Sequence, residues 1–74
     1  MKSEFEVALL KLFRINDKSM TELTLNTPIR FDSLTLTELC ILIEEHFDIP
    51  TEFAIAKKFK TVGDLNCYIL EKTT

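Results

Sequence analysis

The apolar residues of this chain recur at helical spacing, and this periodicity is the feature that most constrains its fold. Near the start they fall three and four residues apart, which places them on one side of a helix. That stripe comprises Phe5, Ala8, Leu9, Leu12 and Phe13. The Ser3-x-x-Glu6 spacing predicts a reciprocal side-chain cap where this first helix begins, near Ser3.

A change of pattern between residues 16 and 30 predicts a long loop. Polar turn formers accumulate there, and Pro28 discourages helix at the residue before it. We expect three apolar side chains to fasten the loop to the core, namely Leu23, Leu25 and Ile29.

Three further helices follow the loop. Asp32 can cap the second, which is expected to run to about Phe47 and to stop before Pro50. A short third helix fits residues 51–59. Thr61 and Asp64 form a second capping pair, and the stripe of the fourth helix comprises Val62, Leu65 and Ile69. No stretch alternates convincingly like a strand, so the sequence predicts an all-α, four-helix fold in one domain spanning residues 1–74.

Composition excludes several classes of protein. With 74 residues, 46% of them apolar, the chain is expected to fold as one small domain without a deep active site. No apolar run approaches the roughly 20 residues of a membrane helix, and no leader is evident, so we expect a cytoplasmic protein that binds no membrane. The net charge of −3 argues weakly against a nucleic-acid partner. We expect a monomer.

The two cysteines are interpreted as structural residues and not as metal ligands or reactive thiols. Cys40 and Cys67 lie in apolar periodic segments and lack the short paired spacing of a metal knuckle. They are expected to be reduced core thiols, and no metal site is predicted.

The second helix carries apolar residues on two opposite faces. At about 100° per residue, one face is a core stripe comprising Leu36, Leu39, Cys40, Ile43 and Phe47. The opposite face sets two apolar side chains among carboxylates and comprises Leu34, Glu38, Ile41 and Glu45. This second face is interpreted as a docking surface; the alternative is incidental exposure, which is common in small helical proteins.

Ser33 lies in the first turn of the same helix. There an attached phosphate would meet free backbone amides and the positive end of the helix dipole. A catalytic serine is disfavoured because the only histidine, His46, lies about 20 Å further along the helix and is expected to be a surface residue. Asp32 and Ser33 also have a purely structural reading, since helix starts prefer these residues.

A wider set of residues resembles the acyl carrier protein family. It comprises Asp32-Ser33-Leu34, Glu38-Leu39, Glu44-Glu45 and Phe47-Asp48, with Leu25 and Ile29 upstream and Thr61-Val62 downstream. The resemblance implies a four-helix acyl-carrier-like bundle in which Asp-Ser-Leu opens the second helix. It also implies a carrier and not an enzyme.

In that family, a phosphopantetheinyl transferase attaches 4′-phosphopantetheine to the motif serine, which here is Ser33, preceded by the motif residue Asp32. The thiol of this cofactor then holds acyl groups as thioesters and presents them to acyl-activating, acyl-transferring or condensing enzymes. The resemblance makes the second helix the partner-recognition helix. Its apolar contacts would come from Leu34 and Ile41, and its charge from Glu38 and Glu45.

Several residues depart from the family pattern. Arg30 stands where the family commonly has glycine, Thr35 stands where an acidic residue often follows Ser-Leu, and the third-helix region is basic at Lys57, Lys58 and Lys60. These departures favour a dedicated carrier in a specialised lipid or polyketide-type pathway. Two alternatives stay open: an aminoacyl or peptidyl carrier domain, and an unmodified helical protein-interaction module.

Overall fold

The computed structural model describes residues 3–73, which form four helices. These are α1 (Ser3–Asn16), α2 (Ser33–Phe47), α3 (Phe53–Ala56) and α4 (Val62–Thr73). Within the described residues there is no strand, and one isolated antiparallel bridge joins Pro28 to Thr61. The predicted all-α class, the long loop between α1 and α2, and the short third helix are confirmed.

A single apolar core lies between the helices. Helix α2 packs against both α1 and α3. Its core stripe is confirmed at Leu36, Leu39 and Ile43, which are buried, whereas Cys40 and Phe47 are half-buried at the margin. The core also draws on the loop and on the other three helices, with Phe5, Leu9, Leu12, Phe13, Ile29, Ile49, Ala56, Phe59, Val62, Leu65 and Ile69.

Helix α1 begins at Ser3, as the sequence predicts. Four of the five stripe residues are buried, and Ala8 is half-buried. The predicted Ser3–Glu6 cap involves a side chain outside the described part of the chain. The exposed His46 lies edge-on to the ring of Phe5, with 5.6 Å between ring centroids, so it is the surface histidine expected from the sequence.

Helix α2 ends at Phe47 because the next residue leaves the helical conformation. Asp48 adopts a left-handed backbone with φ 59°, and its amide donates to the carbonyl of Glu44 over 2.8 Å. Such a residue caps the end of a helix by satisfying a free carbonyl. Pro50 follows two residues later, and the predicted end of this helix is confirmed.

The third helix is shorter than predicted. Residues 51–59 were expected to be helical, but only Phe53–Ala56 form α3. After it, the amides of Lys58 and Phe59 donate to carbonyls three residues back, which makes tight turns and not α-helix. These turns bring Phe59 into the core, where its ring is buried.

Main-chain hydrogen bonds fasten the long loop to the start of α4. The amide of Ile29 donates to the carbonyl of Lys60 over 2.9 Å, and that of Val62 donates to the carbonyl of Thr27 over 2.9 Å. Of the three side chains expected to hold the loop, Ile29 is buried and Leu23 packs partly buried against the core. The expectation for Leu25 is wrong, because its side chain is 58% exposed.

Leu25 is nevertheless held by its backbone. The amide of Gly63 donates to the carbonyl of Leu25 over 2.8 Å, and a Cβ on Gly63 would lie only 3.0 Å from that oxygen. A glycine in the first turn of α4 therefore allows the loop to approach closely, so this contact does not need an apolar side chain.

The start of α4 is capped as predicted. Asp64 accepts hydrogen bonds from the amides of Lys60 and Thr61, and the Thr61 hydroxyl accepts one from the amide of Asp64 over 3.3 Å. The apolar stripe of α4 is buried. The expectation that Cys67 is a core thiol is wrong, because it is exposed, on a different side of α4 from that stripe.

None of the helices in residues 3–73 has both the length and the apolar character needed to cross a bilayer.

Candidate functional site

Ser33 is the first residue of α2, and its side chain is exposed. Within residues 3–73 no other group hydrogen-bonds its hydroxyl. Its carbonyl accepts a hydrogen bond from the Thr37 hydroxyl over 2.9 Å, which holds the backbone of the first turn. The hydroxyl is therefore accessible and chemically uncommitted on a fixed backbone.

Asp32 caps α2 from the residue before Ser33. Its Oδ1 accepts a hydrogen bond from the amide of Thr35 over 2.8 Å, and its carbonyl accepts one from the amide of Leu36 over 2.9 Å. The bond from the Thr35 amide, together with hydrogen bonding from the Thr35 side chain, lowers the pKa of Asp32. The carboxylate stays ionised next to Ser33, and the predicted N-cap is confirmed.

The amides of Ser33 and Leu34 find no acceptor among the described residues, because Asp32 engages only the next two. Free first-turn amides and the helix dipole both favour a negative group at this end of a helix. The position therefore suits a phosphate ester on the Ser33 hydroxyl. No described residue hydrogen-bonds the hydroxyl as a general base would.

The face of α2 opposite the core presents the four residues predicted for docking. Leu34 is 76% exposed and Ile41 is 44% exposed, and Glu38 and Glu45 are also exposed. On α3, Phe53 is exposed as well, and the Nζ of Lys57 lies 5.9 Å from its ring centroid. Apolar side chains flanked by charges are thus available for contact on both helices.

Thr35, which stands where an acidic residue often follows Ser-Leu in acyl carrier proteins, does not lie on the exposed side of α2. It is only 6% exposed. It lies one helical turn before Leu39 and so shares the core side of α2. The spacing of four residues between Thr35 and Leu39 indicates this burial in the sequence, but a polar side chain is not expected in the core.

The four basic residues that depart from the acyl carrier pattern are all exposed in this structure. Within residues 3–73, no carboxylate forms an ion pair with Arg30, Lys57, Lys58 or Lys60. Arg30 and Lys60 are carried by the two backbone segments joined by the Ile29–Lys60 hydrogen bond, so this end of the loop is basic. Their positive charge stays available to a binding partner.

Among residues 3–73, neither the neighbouring carboxylate nor the histidine of α2 is placed to activate the Ser33 hydroxyl. Asp32 uses its carboxylate for the cap, and His46 lies in the last turn of α2. No group of three or more potential metal ligands occurs in the described part of the chain. Burial raises the pKa of Cys40, which disfavours its thiolate and hence a nucleophilic role.

Two curated proteins match this chain, among them an acyl carrier protein. The chain is 50% identical over 38 residues to an acyl carrier protein of Chlamydia felis (strain Fe/C-56), a match that covers 51% of this chain and 49% of that protein. The chain thus matches about half the length of this curated relative. No family model matches the sequence, and no solved structure matches it. Over about half its length, this chain is similar to an acyl carrier protein.

Proposed function

We propose that this chain is an acyl carrier protein whose Ser33 carries 4′-phosphopantetheine and which has no enzymatic activity of its own. The observation that carries the proposal is the exposed, unpartnered hydroxyl of Ser33 in the first turn of α2, directly after the ionised cap Asp32. The similarity to an acyl carrier protein supports the same function.

The residues around Ser33 fit the attachment of such a group. A phosphopantetheinyl transferase joins the Ser33 oxygen to the pantetheine phosphorus of coenzyme A, the pyrophosphate bond breaks, and the adenosine bisphosphate half leaves. The serine proton passes to a base on the transferase. This chain contributes an accessible hydroxyl and two free amides beside the new phosphate.

The bound group supplies a thiol that holds an acyl chain as a thioester, an activated donor for transfer and condensation. The carrier itself supplies mobility, since a tethered acyl group reaches several enzymes at a high local concentration. The exposed face of α2 supports this role. Leu34 and Ile41 offer apolar contacts, and Glu38 and Glu45 offer charge to partner enzymes.

The partners we propose are the transferase and enzymes that activate, transfer or condense acyl groups in a specialised lipid or polyketide-type pathway. The unpaired cations Arg30, Lys57, Lys58 and Lys60 support a specialised pathway, because they alter the charge that a partner meets. We place this carrier in the cytoplasm as a single, monomeric domain.

Intact-mass measurement after incubation with coenzyme A and a broad-specificity transferase tests the proposal. We expect one added phosphopantetheine on the wild type and none on Ser33→Ala. Thr21→Ala, which keeps Ser33 and removes an exposed hydroxyl in the loop, is the matched control and should be modified normally. A wild type that stays unmodified with the transferase of its own organism would favour the unmodified interaction module.

A further inference from the structure

A groove of about 360 Å³ lies on the outer side of α1, between this helix and loop residues 21–23. Its floor is apolar and is formed by Val7 and Leu10 of α1 and by Leu23 of the loop. Val7 is 55% exposed, and the other two side chains are half-buried, so this floor is open to solvent. The docking face of α2 contributes no residue to the lining.

Two carboxylates line the groove, one on each wall. Glu6 belongs to α1 and Glu22 to the loop. Both side chains are exposed, and within residues 3–73 neither forms an ion pair. None of the described residues that line the groove is cationic. Two unpaired negative charges beside an apolar floor favour a partner that carries positive charges on both sides of an apolar side chain.

The loop wall of the groove also offers main-chain groups. Residues 21–23 form neither helix nor turn, and their amides and carbonyls have no hydrogen-bond partner in the described part of the chain. Such groups can pair with an extended peptide, which then adds main-chain hydrogen bonds to its side-chain contacts. An extended segment therefore fits this wall better than a helix, whose own main-chain groups are already paired.

The groove lies toward the end of the bundle that is remote from Ser33. The ring of Phe5, two residues before Val7, lies 4.9 Å from the ring of Phe47 between centroids, at the C-terminal end of α2. About 20 Å of helix separates Phe47 from Ser33, the first residue of α2. A partner bound in the groove therefore leaves Ser33 accessible to other proteins.

We infer that this groove is a second docking site, which binds an extended basic segment of a partner protein. The segment has the pattern Lys-x-Leu-x-Lys, in which arginine can replace lysine and another large apolar residue can replace leucine. Side chains two residues apart point to the same side of an extended chain. The two cations can thus meet Glu6 and Glu22 while the apolar side chain meets the floor. This binding does not require an arm on Ser33, so it goes beyond the proposed function.

Titration of the 15N-labelled protein with synthetic peptides, followed by nuclear magnetic resonance, tests the inference. The probe is the acetylated and amidated peptide Thr-Lys-Thr-Leu-Thr-Lys-Thr. We expect it to shift the amide signals of residues 6–10 and 21–23, with a Kd that rises with salt as the charges are screened. The same residues in the order Lys-Lys-Thr-Thr-Leu-Thr-Thr should bind several-fold more weakly, because the cations no longer flank the leucine.

Paired substitutions test the two carboxylates. Glu6→Gln with Glu22→Gln removes both charges and keeps the size of the side chains, so we expect it to weaken binding of the probe several-fold. The matched control is Glu52→Gln with Glu71→Gln, which changes the net charge equally at exposed positions outside the groove. It should bind the probe like the wild type, and the amide spectrum of each variant verifies its fold.

Several results would overturn the inference. Shifts confined to the exposed face of α2, or no shifts with the probe in large excess, would mean that the groove does not bind such a segment. Equal binding of the two peptides, or equal weakening by the two pairs of substitutions, would mean that the probe responds only to net charge. Signals that move with protein concentration in the absence of peptide would make the groove an interface between copies of this chain. Each of these results leaves the modification of Ser33 unaffected, so the carrier function stands or fails separately.

Discussion

Asp32 connects the stability of α2 with the environment of Ser33. Its carboxylate accepts the hydrogen bond from the amide of Thr35, and the loss of this bond leaves a first-turn amide without its acceptor. We therefore expect Asp32→Ala to lower the urea midpoint of unfolding. Asp32→Asn keeps an oxygen acceptor and is the matched control, with a midpoint close to the wild type.

The stabilisation by Asp32 should depend on pH in a defined direction. Hydrogen bonding lowers its folded-state pKa below the ordinary value of 3.8, so the ionised form stabilises the fold. This contribution is complete above pH 3.8 and is lost as the pH falls through the lower, folded-state pKa. The stability difference between wild type and Asp32→Ala should therefore shrink on acidification in urea titrations; a difference that grows would contradict this role.

Thr35 gives a second prediction at a single residue. Since its side chain is almost fully buried, Thr35→Asp would place a carboxylate inside the core and beside Asp32. We expect a loss of about 2 kcal/mol or more in the free energy of unfolding, as for other buried unpaired charges. Urea denaturation at neutral pH measures it, and Thr37→Asp, at an exposed position on the same helix, should be far milder.

Helix α2 has apolar residues on a buried and on an exposed face, and two isoleucines that lie two residues apart allow a direct test. Ile43 is fully buried, whereas Ile41 is 44% exposed. Ile43→Ala should cost roughly 2 to 5 kcal/mol of stability, as large-to-small changes in cores do. Ile41→Ala removes the same atoms and should cost under about 1 kcal/mol.

The same pair separates folding from docking. Under the proposed function, Ile41→Ala should slow transfer of phosphopantetheine or turnover by an acyl-loading enzyme while its thermal midpoint stays close to the wild type. Equal destabilisation by Ile41→Ala and Ile43→Ala would mean that the two faces are assigned wrongly.

The elements differ in how far their sequences determine them. The bounds of α2 follow from local signals, namely the Asp32 cap at one end and Pro50 beyond the other. The bounds of α3 do not, because the buried ring of Phe59 forces tight turns after Ala56. Similarly, Leu25 is held by its backbone against Gly63, an interaction that side-chain hydrophobicity does not reveal.

At the scale of the whole molecule, the sequence predicts the site only in part. Ser33, Asp32 and the exposed face of α2 lie on one helix, so their arrangement follows from helical periodicity. The contact between the rings of Phe13 and Phe31 joins α1 to the loop that precedes α2, and no local pattern predicts it. The spacing of four residues between Thr35 and Leu39 predicts that Thr35 lies on the core side of α2. Its polar side chain nevertheless favoured the interpretation as a surface residue.

The lysines that directly follow α3 lead to a prediction about partner choice. Under the proposed function, enzymes of general fatty-acid elongation, which usually bind acidic acyl carrier proteins, should process this chain poorly because like charges slow association. Lys57→Glu combined with Lys58→Glu should raise the elongation rate of the acylated protein, most strongly at low salt. The control with equal charge change is Lys11→Glu with Lys18→Glu, at exposed positions on α1 and the loop. Wild-type rates equal to those of a housekeeping carrier would refute the specialised role.

The carrier function is tested most directly by top-down mass spectrometry of the protein purified from its own cells. We predict a population that carries phosphopantetheine, with fragment ions that place the added mass on Ser33. Part of it should carry a further mass that hydroxylamine removes, as expected for an acyl thioester. A protein that is wholly unmodified at Ser33 in cells that make both the transferase and coenzyme A would contradict the account.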